Sequence, residues 1–307
     1  MTLGIKVGPQ KQSFLDLEQT RAPFAEVWFN ISRADDYTEL FDELKRRRMQ
    51  VGLHFWGALP DGTWTNIAYP DPDLVNQSLS MMKKTIDIAA HHDFQYVNVH
   101  PGCAARVSID FDANRMDLRS APIPFDQAIP LFVENAQVLD EYAQDHGIVF
   151  TIETVPSRVV MGWYDHAARN DPDKITNVYE LPVEAIEAAA KAGLWVANDF
   201  GHTAAIAANN QQTVWHHLLG KTQRLAKQTR LIHMGFVTPP YNGTDFHNTL
   251  DHPLFDTNQA VPNKKQMIEL LRLFTGRDDV WILTEPNRYH TENYFLAQNI
   301  LAEALGY

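Results

Sequence analysis

The sequence predicts a (β/α)8 TIM barrel spanning residues 1–307 as one domain. Three observations predict it. Short apolar runs rich in β-formers recur along the chain, helical apolar stripes lie between them, and the turns from helix back to strand are short. The runs are LGIKVG (3–8), AEVWFN (25–30), VGLHFW (51–56), YVNVHP (96–101), IVFTIE (148–153), LWVAND (194–199), RLIHMG (230–235) and VWILTE (280–285). Alternation of strand and helix implies parallel pairing, and eight such units close into a barrel more readily than they form an open sheet.

The clearest helical stripe lies in 128–147, where Ile129, Phe132, Val133, Ala136, Leu139 and Ala143 share one face. Similar stripes run through 73–90, 183–192, 264–274 and 294–305. Gly147 and Gly193 end their helices directly before a strand, as helix-terminating glycines do. The basic run Lys45–Arg48 closes a predicted helix, where cations complement the macrodipole. Segments 102–125, 155–177 and 236–262, after the fourth, fifth and seventh runs, are long. In a β/α barrel they lie on the face that carries catalysis, and long loops there are usually functional.

Composition is ordinary for a globular chain, 45% hydrophobic and 21% charged, and a chain of this length buries a large core without disulfides. The lone Cys103 fits a reducing compartment and reads as a small buried hydrophobe. The amino terminus shows no secretory pattern and no apolar run is long enough to span a bilayer, so the expectation is a cytoplasmic protein without a membrane partner. A net charge of −12 argues against gripping nucleic acid by charge alone. It leaves open a polyanionic substrate held by bound metal.

The ends of the strand runs carry the chemistry. His54, His100, Glu153, Asp199, His233 and Glu285 fall at the same level on six consecutive runs. His202 follows Asp199 by three residues, and Asp245 and His247 sit in the long loop after the seventh run. One histidine on an apolar strand is more often hydrogen-bonded core than ligand. Four converging carboxylates (Glu153, Asp199, Asp245 and Glu285), with no lysine or arginine expected among them on the strands, repel one another unless cations sit between them. Imidazole and carboxylate together suit zinc best, with manganese or iron also accommodated. Arg158 and Arg288, just after Glu153 and Glu285, suit a substrate oxyanion or phosphate, or else a peripheral ion pair. Trp56, Trp64, Trp163 and Tyr164 are expected around the mouth, to stack on substrate or to pack the long loops. The His91–His92 and His216–His217 pairs read as surface, and His252 and His290 carry no assigned role.

The segments VGLHFW, VNVHPG, FTIET, NDFGHTAA, LIHMGF, TDFH and LTEP, in this order, resemble the endonuclease IV and xylose isomerase-like barrel group, over most of the chain. The resemblance implies one of two metal patterns. The sugar isomerases and epimerases of the group hold one metal, usually manganese, and the matching set here is Glu153, Asp199, His233 and Glu285. Endonuclease IV holds three zinc ions, and counterparts of all nine ligands are present. They are His54, His100 and Glu153 for one ion, Glu153 again with Asp199, His233 and Glu285 for a second, and His202, Asp245 and His247 for a third.

The resemblance therefore implies first a trinuclear zinc hydrolase of phosphoesters, with abasic DNA among its substrates. Its alternative is a sugar or sugar-phosphate isomerase or epimerase with a single metal, using Glu153 and Glu285 as its acid–base pair. A non-catalytic metal-bound barrel ranks last. Departures weaken the DNA expectation. Phe246 stands where endonuclease IV carries a basic residue, Gly57 where it has an aromatic, and its DNA-contacting loops are replaced by PSRVVMGWYDHAARNDPD and NTLDHPLFDTNQ.

Overall fold

A computed structural model describes residues 1–162, 168–208 and 210–307. Eight parallel strands close a barrel in sequence order: β1 (Thr2–Val7), β2 (Phe24–Asn30), β3 (Gln50–Trp56), β4 (Tyr96–Val99), β5 (Val149–Glu153), β6 (Trp195–Asp199), β7 (Thr229–His233) and β8 (Trp281–Leu283). The last strand pairs back onto the first through Thr2↔Trp281 and Leu3↔Ile282. Each predicted run overlaps its strand, with small shifts at the ends. Strands β4 and β8 stop before His100 and Glu285, which stand just beyond the sheet.

Side chains alternate across a strand, so residues two apart share a face. One face packs against the helices in the main core, with Ile5, Val27, Leu53, Val97, Ile152 and Ile232 among its residues. The other face fills the barrel. At its lower level Phe24, Tyr96, Ala197, Leu231 and Leu283 form a separate apolar cluster. Two glycines make room for its rings: a Cβ on Gly4 would lie 1.9 Å from the Phe24 ring, and one on Gly52 2.0 Å from that of Tyr96. Two residues further along the same strands come Lys6, Glu26, His54 and Asn98, and Glu153, Asp199, His233 and Glu285 complete this polar level. The two-residue period that seats the apolar plug thus also aims the ionisable groups into the barrel mouth.

The helices expected from periodicity are present, including Pro72–His91, Phe125–Asp145 and His290–Leu305. Gly147 and Gly193 both take positive φ, at 70° and 96°, between helix and strand. The long segments carry structure of their own. After β4, Val107–Asp110 pairs antiparallel with Arg115–Leu118. After β5, Val159–Val160 pairs with Ile175–Thr176. The two excursions touch where Gly162 N donates to Asn114 O at 2.9 Å. Beneath them Trp64, Cys103, Val107, Ile109, Met116 and Val178 form a satellite core, which places Cys103 as a buried small hydrophobe. Trp163 and Tyr164 lie outside the described residues.

Candidate metal centre and active site

The polar level brings together all nine sequence-predicted ligand residues in three groups, and adds a fourth. In each group the candidate ligand atoms lie within 4.8 Å of one another: His54, His100 and Glu153; Glu153, Asp199, His233 and Glu285; His202, Asp245 and His247; and Glu26, His54, His233 and Glu285. Glu153 belongs to two groups and is fully buried, beneath His54, His202 and His233.

The expectation that no cation would be found among these carboxylates on the strands is corrected by Lys6. Its buried ammonium donates to Glu26 Oε1 at 2.5 Å and to Glu285 Oε1, and contacts His54 Nδ1 at 2.6 Å. Burial opposes the charge, but Glu26, Glu285 and Glu153 outweigh it and hold the ammonium pKa above its ordinary value. Sequence reading missed Lys6 and Glu26 because each sits inside an apolar run. The signal was the period: each is two residues after an inward Gly4 or Phe24. One lysine against Glu26, Glu153, Asp199, Asp245 and Glu285 still leaves a strong excess of negative charge.

Neighbouring groups fix the orientation of the imidazoles. His202 Nδ1 lies 2.8 Å from the Thr154 carbonyl, which can only accept, so Nδ1 carries a proton and Nε2 is the nitrogen turned toward Asp245 Oδ2 at 3.7 Å. His233 Nδ1 is hydrogen-bonded to Glu153 Oε1 at 3.2 Å, on the side where Glu285 Oε2 (3.4 Å) and Asp199 Oδ2 (3.6 Å) also converge, and its Nε2 faces Glu26 Oε1 at 3.1 Å. Asp199 also accepts from His202 N at 2.8 Å, capping the short helix Phe200–Ala204. Glu153 Oε2 accepts from Asn98 Nδ2, whose own oxygen is held by Thr151 Oγ1 at 3.0 Å.

Electrostatics matches this geometry. For both His202 and His233 burial opposes the charged form, but Asp199 and Glu153 around the first and Glu285, Glu153 and Glu26 around the second raise the pKa well above the ordinary value. For Glu153 burial raises the carboxyl, and His233 and His54 outweigh it. For Glu285 burial is likewise outweighed, by His233 and Lys6. Both carboxyls end well below their ordinary range. A field that favours imidazolium this strongly also favours a divalent cation at the same place. Both ring nitrogens of His100 and Asp245 Oδ1 are buried with no hydrogen-bond partner among the described residues. Buried polar atoms seldom go unpaired, and metal held by His202, Asp245 and His247 would satisfy Asp245 Oδ1.

Above the ligand groups lies a cavity of ≈ 350 Å³, walled by Trp28, Trp56, Met116, Arg158, His247 and Glu285 among others. Trp56 stacks on Trp64 with centroids 6.0 Å apart, and Trp64 itself is buried behind it. Arg158 reaches this wall. Arg288 does not: it is exposed, with its guanidinium 5.0 Å from the Tyr289 ring centroid. Glu285 faces the cavity, whereas Glu153, expected as its acid–base partner, contributes no surface to it and occupies the position of a shared ligand. His290 and Glu180 also line the cavity, both unassigned from sequence. His252 does not, and accepts from Leu254 N at 3.1 Å.

The two point departures from endonuclease IV have local causes. Phe246 is buried with Val160 and Ala168, so it anchors the excursion after β5 where a basic residue would face solvent or substrate. At Gly57 a Cβ would meet Phe55 Cζ at 2.8 Å, which leaves no room for an aromatic. His247 holds φ of 45°, an uncommon backbone state that places its ring beside Asp245.

The profile of a family described as "Xylose isomerase-like TIM barrel" matches residues 19–250. No curated protein matches the chain by sequence. Among solved structures, a D-tagatose 3-epimerase-like protein shares 15% identity at a TM-score of 0.62, covering 100% of this chain and 97% of that one. The 3-keto-D-glucoside 4-epimerase of E. coli shares 12% at 0.59, with 100% of each chain covered. A Thermus thermophilus protein soaked with ZnCl2 shares 17% at 0.60, with 99% of each covered. Likeness at these identities speaks for the fold. Among the described residues no helix is long and apolar enough to cross a membrane.

Proposed function

The chain belongs to the xylose isomerase-like TIM barrel family, and on that premise we propose that it is a divalent-metal-dependent isomerase or epimerase of a small sugar or sugar derivative. This reverses the order in which the sequence ranked the two activities. The observation that carries the reading is the cavity of ≈ 350 Å³ over the ligand groups, walled in part by Asn114, Met116, Val159 and Val160 of the excursions after β4 and β5. Its size suits one monosaccharide unit. Two of the similar structures are described as sugar epimerases or epimerase-like, which favours the same reading.

A divalent ion held by Glu153, Asp199, His233 and Glu285 would polarise the carbonyl and neighbouring hydroxyl of the substrate, acidifying the C–H between them. Glu285, ionised and facing the cavity, would take that proton. Returning it to the adjacent carbon on the same face, while the hydroxyl proton passes to the former carbonyl oxygen, completes an isomerisation. Inversion at one carbon needs a second proton carrier on the opposite face, a role open to Glu180 on the cavity wall. Trp28 and Trp56 give the sugar apolar faces to lie on and exclude water.

The test is proton exchange. A panel of ketoses and aldoses incubated with manganese-loaded protein in D2O should take up deuterium beside the carbonyl, read by NMR. Glu285→Gln should cut that rate by about 10²–10⁴-fold. Phosphodiester or abasic-site cleavage without exchange on any sugar would overturn the reading. That outcome has its own structural ground in the His202, Asp245 and His247 group, for which a single-metal isomerase has no evident use.

A further inference from the structure

The imidazoles among the carboxylates are not held alike. His202 has its Nδ1 proton on the Thr154 carbonyl, which leaves Nε2 as the nitrogen turned to the group of Asp245 and His247. His54 is held the other way round. An ammonium has protons and no lone pair, so at 2.6 Å from Lys6 the Nδ1 atom of His54 must accept. A proton then lies on Nε2, the atom that faces Glu153 Oε2 at 3.2 Å and would have to ligate an ion shared with Glu153 and His100. An N–H cannot coordinate a cation. Glu285 is under no such restriction, because a carboxylate oxygen bonded to Lys6 leaves its other oxygen, 3.4 Å from His233 Nδ1, available.

Lys6 also fills the fourth group from within. Its ammonium contacts Glu26, His54 and Glu285, three of the four members, and is itself buried. We propose that Lys6 is a tethered cation that takes the place of the metal ion His54 would otherwise hold. Metal then enters the group of Glu153, Asp199, His233 and Glu285 and the group of His202, Asp245 and His247, but not the group of His54, His100 and Glu153. The proposal rests on the reading of this barrel mouth as a metal centre. It deepens that reading by explaining how a chain with nine matching ligands holds fewer ions than they imply.

The experiment counts ions. Full-length wild type and Lys6→Met, equilibrated with zinc and desalted, are measured by elemental analysis, and zinc-soaked crystals of the wild type are examined by anomalous diffraction. The expected result is one more ion per chain in Lys6→Met, lost again when His54→Ala is added, with no anomalous peak on His54 in the wild type. Equal, non-zero counts in the two proteins, or a peak on wild-type His54, overturn the proposal while leaving the metal centre standing. No ion in either protein overturns both. Should Lys6→Met fail to fold with Glu26 and Glu285 uncompensated, Lys6→Met with Glu26→Gln serves for the count, and the wild-type diffraction decides by itself.

Discussion

The deep and the outer parts of the barrel mouth solve the same electrostatic problem in different ways. Deep in the barrel, Glu26 Oε1 is met by Lys6 and Glu26 Oε2 by the Tyr96 hydroxyl at 2.7 Å, so a buried carboxylate is satisfied by protein groups alone. At the outer level, Asp245 Oδ1 is buried without a hydrogen bond among the described residues. The difference teaches where to look for metal. A site whose charges are already closed by the chain is structural, and one whose buried donors are left open awaits a ligand. Substitutions in the two places should then respond differently to metal.

The largest expected effect is at Glu26. Glu26→Gln removes a carboxylate from a buried ion pair and weakens the hold on His233, which should destabilise the protein by about 3–5 kcal/mol in urea denaturation. The loss should be the same with zinc and with chelator. A loss that vanishes in chelator would show Glu26 to be a metal ligand and break the comparison. The pH dependence has a definite sign. Burial pushes the Glu26 carboxyl up, but Lys6 and His233 outweigh it and hold its pKa below the ordinary 4.5. A depressed carboxyl contributes stability that is complete above 4.5 and declines as pH falls below it, and Glu26→Gln should flatten that decline.

At Asp245 the sign itself should depend on metal. In chelator, Asp245→Asn removes a buried charge whose Oδ1 has no hydrogen bond and whose Oδ2 meets His202 and His247 only at 3.7 Å, and stability should rise or stay level. With zinc the same change removes a ligand, and the wild type should be the more stable by about 1–3 kcal/mol, within reach of what ligand saturation at about 100 Kd adds. Thermal unfolding in the two buffers checks this. Curves for Asp245→Asn that keep their order against the wild type in both would remove the outer level as a metal site.

The barrel and much of its mouth were legible in the sequence for a physical reason. Parallel strands buried on both faces read as apolar runs, and a charged residue at the end of such a run stands out, as Glu153 and Asp199 do. His202, Asp245 and His247 were noted beside the strand ends, but only the ordered resemblance joined them as one ligand set, because nothing in a loop's own sequence says which strand end it returns to. Lys6 and Glu26 were passed over because a residue inside a strand run is judged by the run. Only the alternation from Gly4 and Phe24 reveals that they point inward with the ligands. The pairings within the excursions after β4 and β5, and so the part of the cavity wall they supply, depend on contacts distant in sequence, which local patterns do not encode.

The smallest effect should separate the two arginines that the sequence treated as equals. Arg158 stands on the cavity wall and makes no ion pair among the described residues, which suits an anionic substituent on the substrate. Arg288 rests against the Tyr289 ring and is not part of the wall. If the wall arginine holds a phosphate or carboxylate remote from the reacting carbon, that contact is equally strong in ground and transition states. Arg158→Ala should then raise KM about ten-fold, about 1.4 kcal/mol, with kcat unchanged. Arg288→Ala should leave both constants as they are. Steady-state kinetics on a sugar phosphate and on its uncharged parent sugar checks this. The Arg158 effect should appear with the first and vanish with the second, and an equal effect on both would mean that Arg158 shapes the excursion after β5 rather than reads charge.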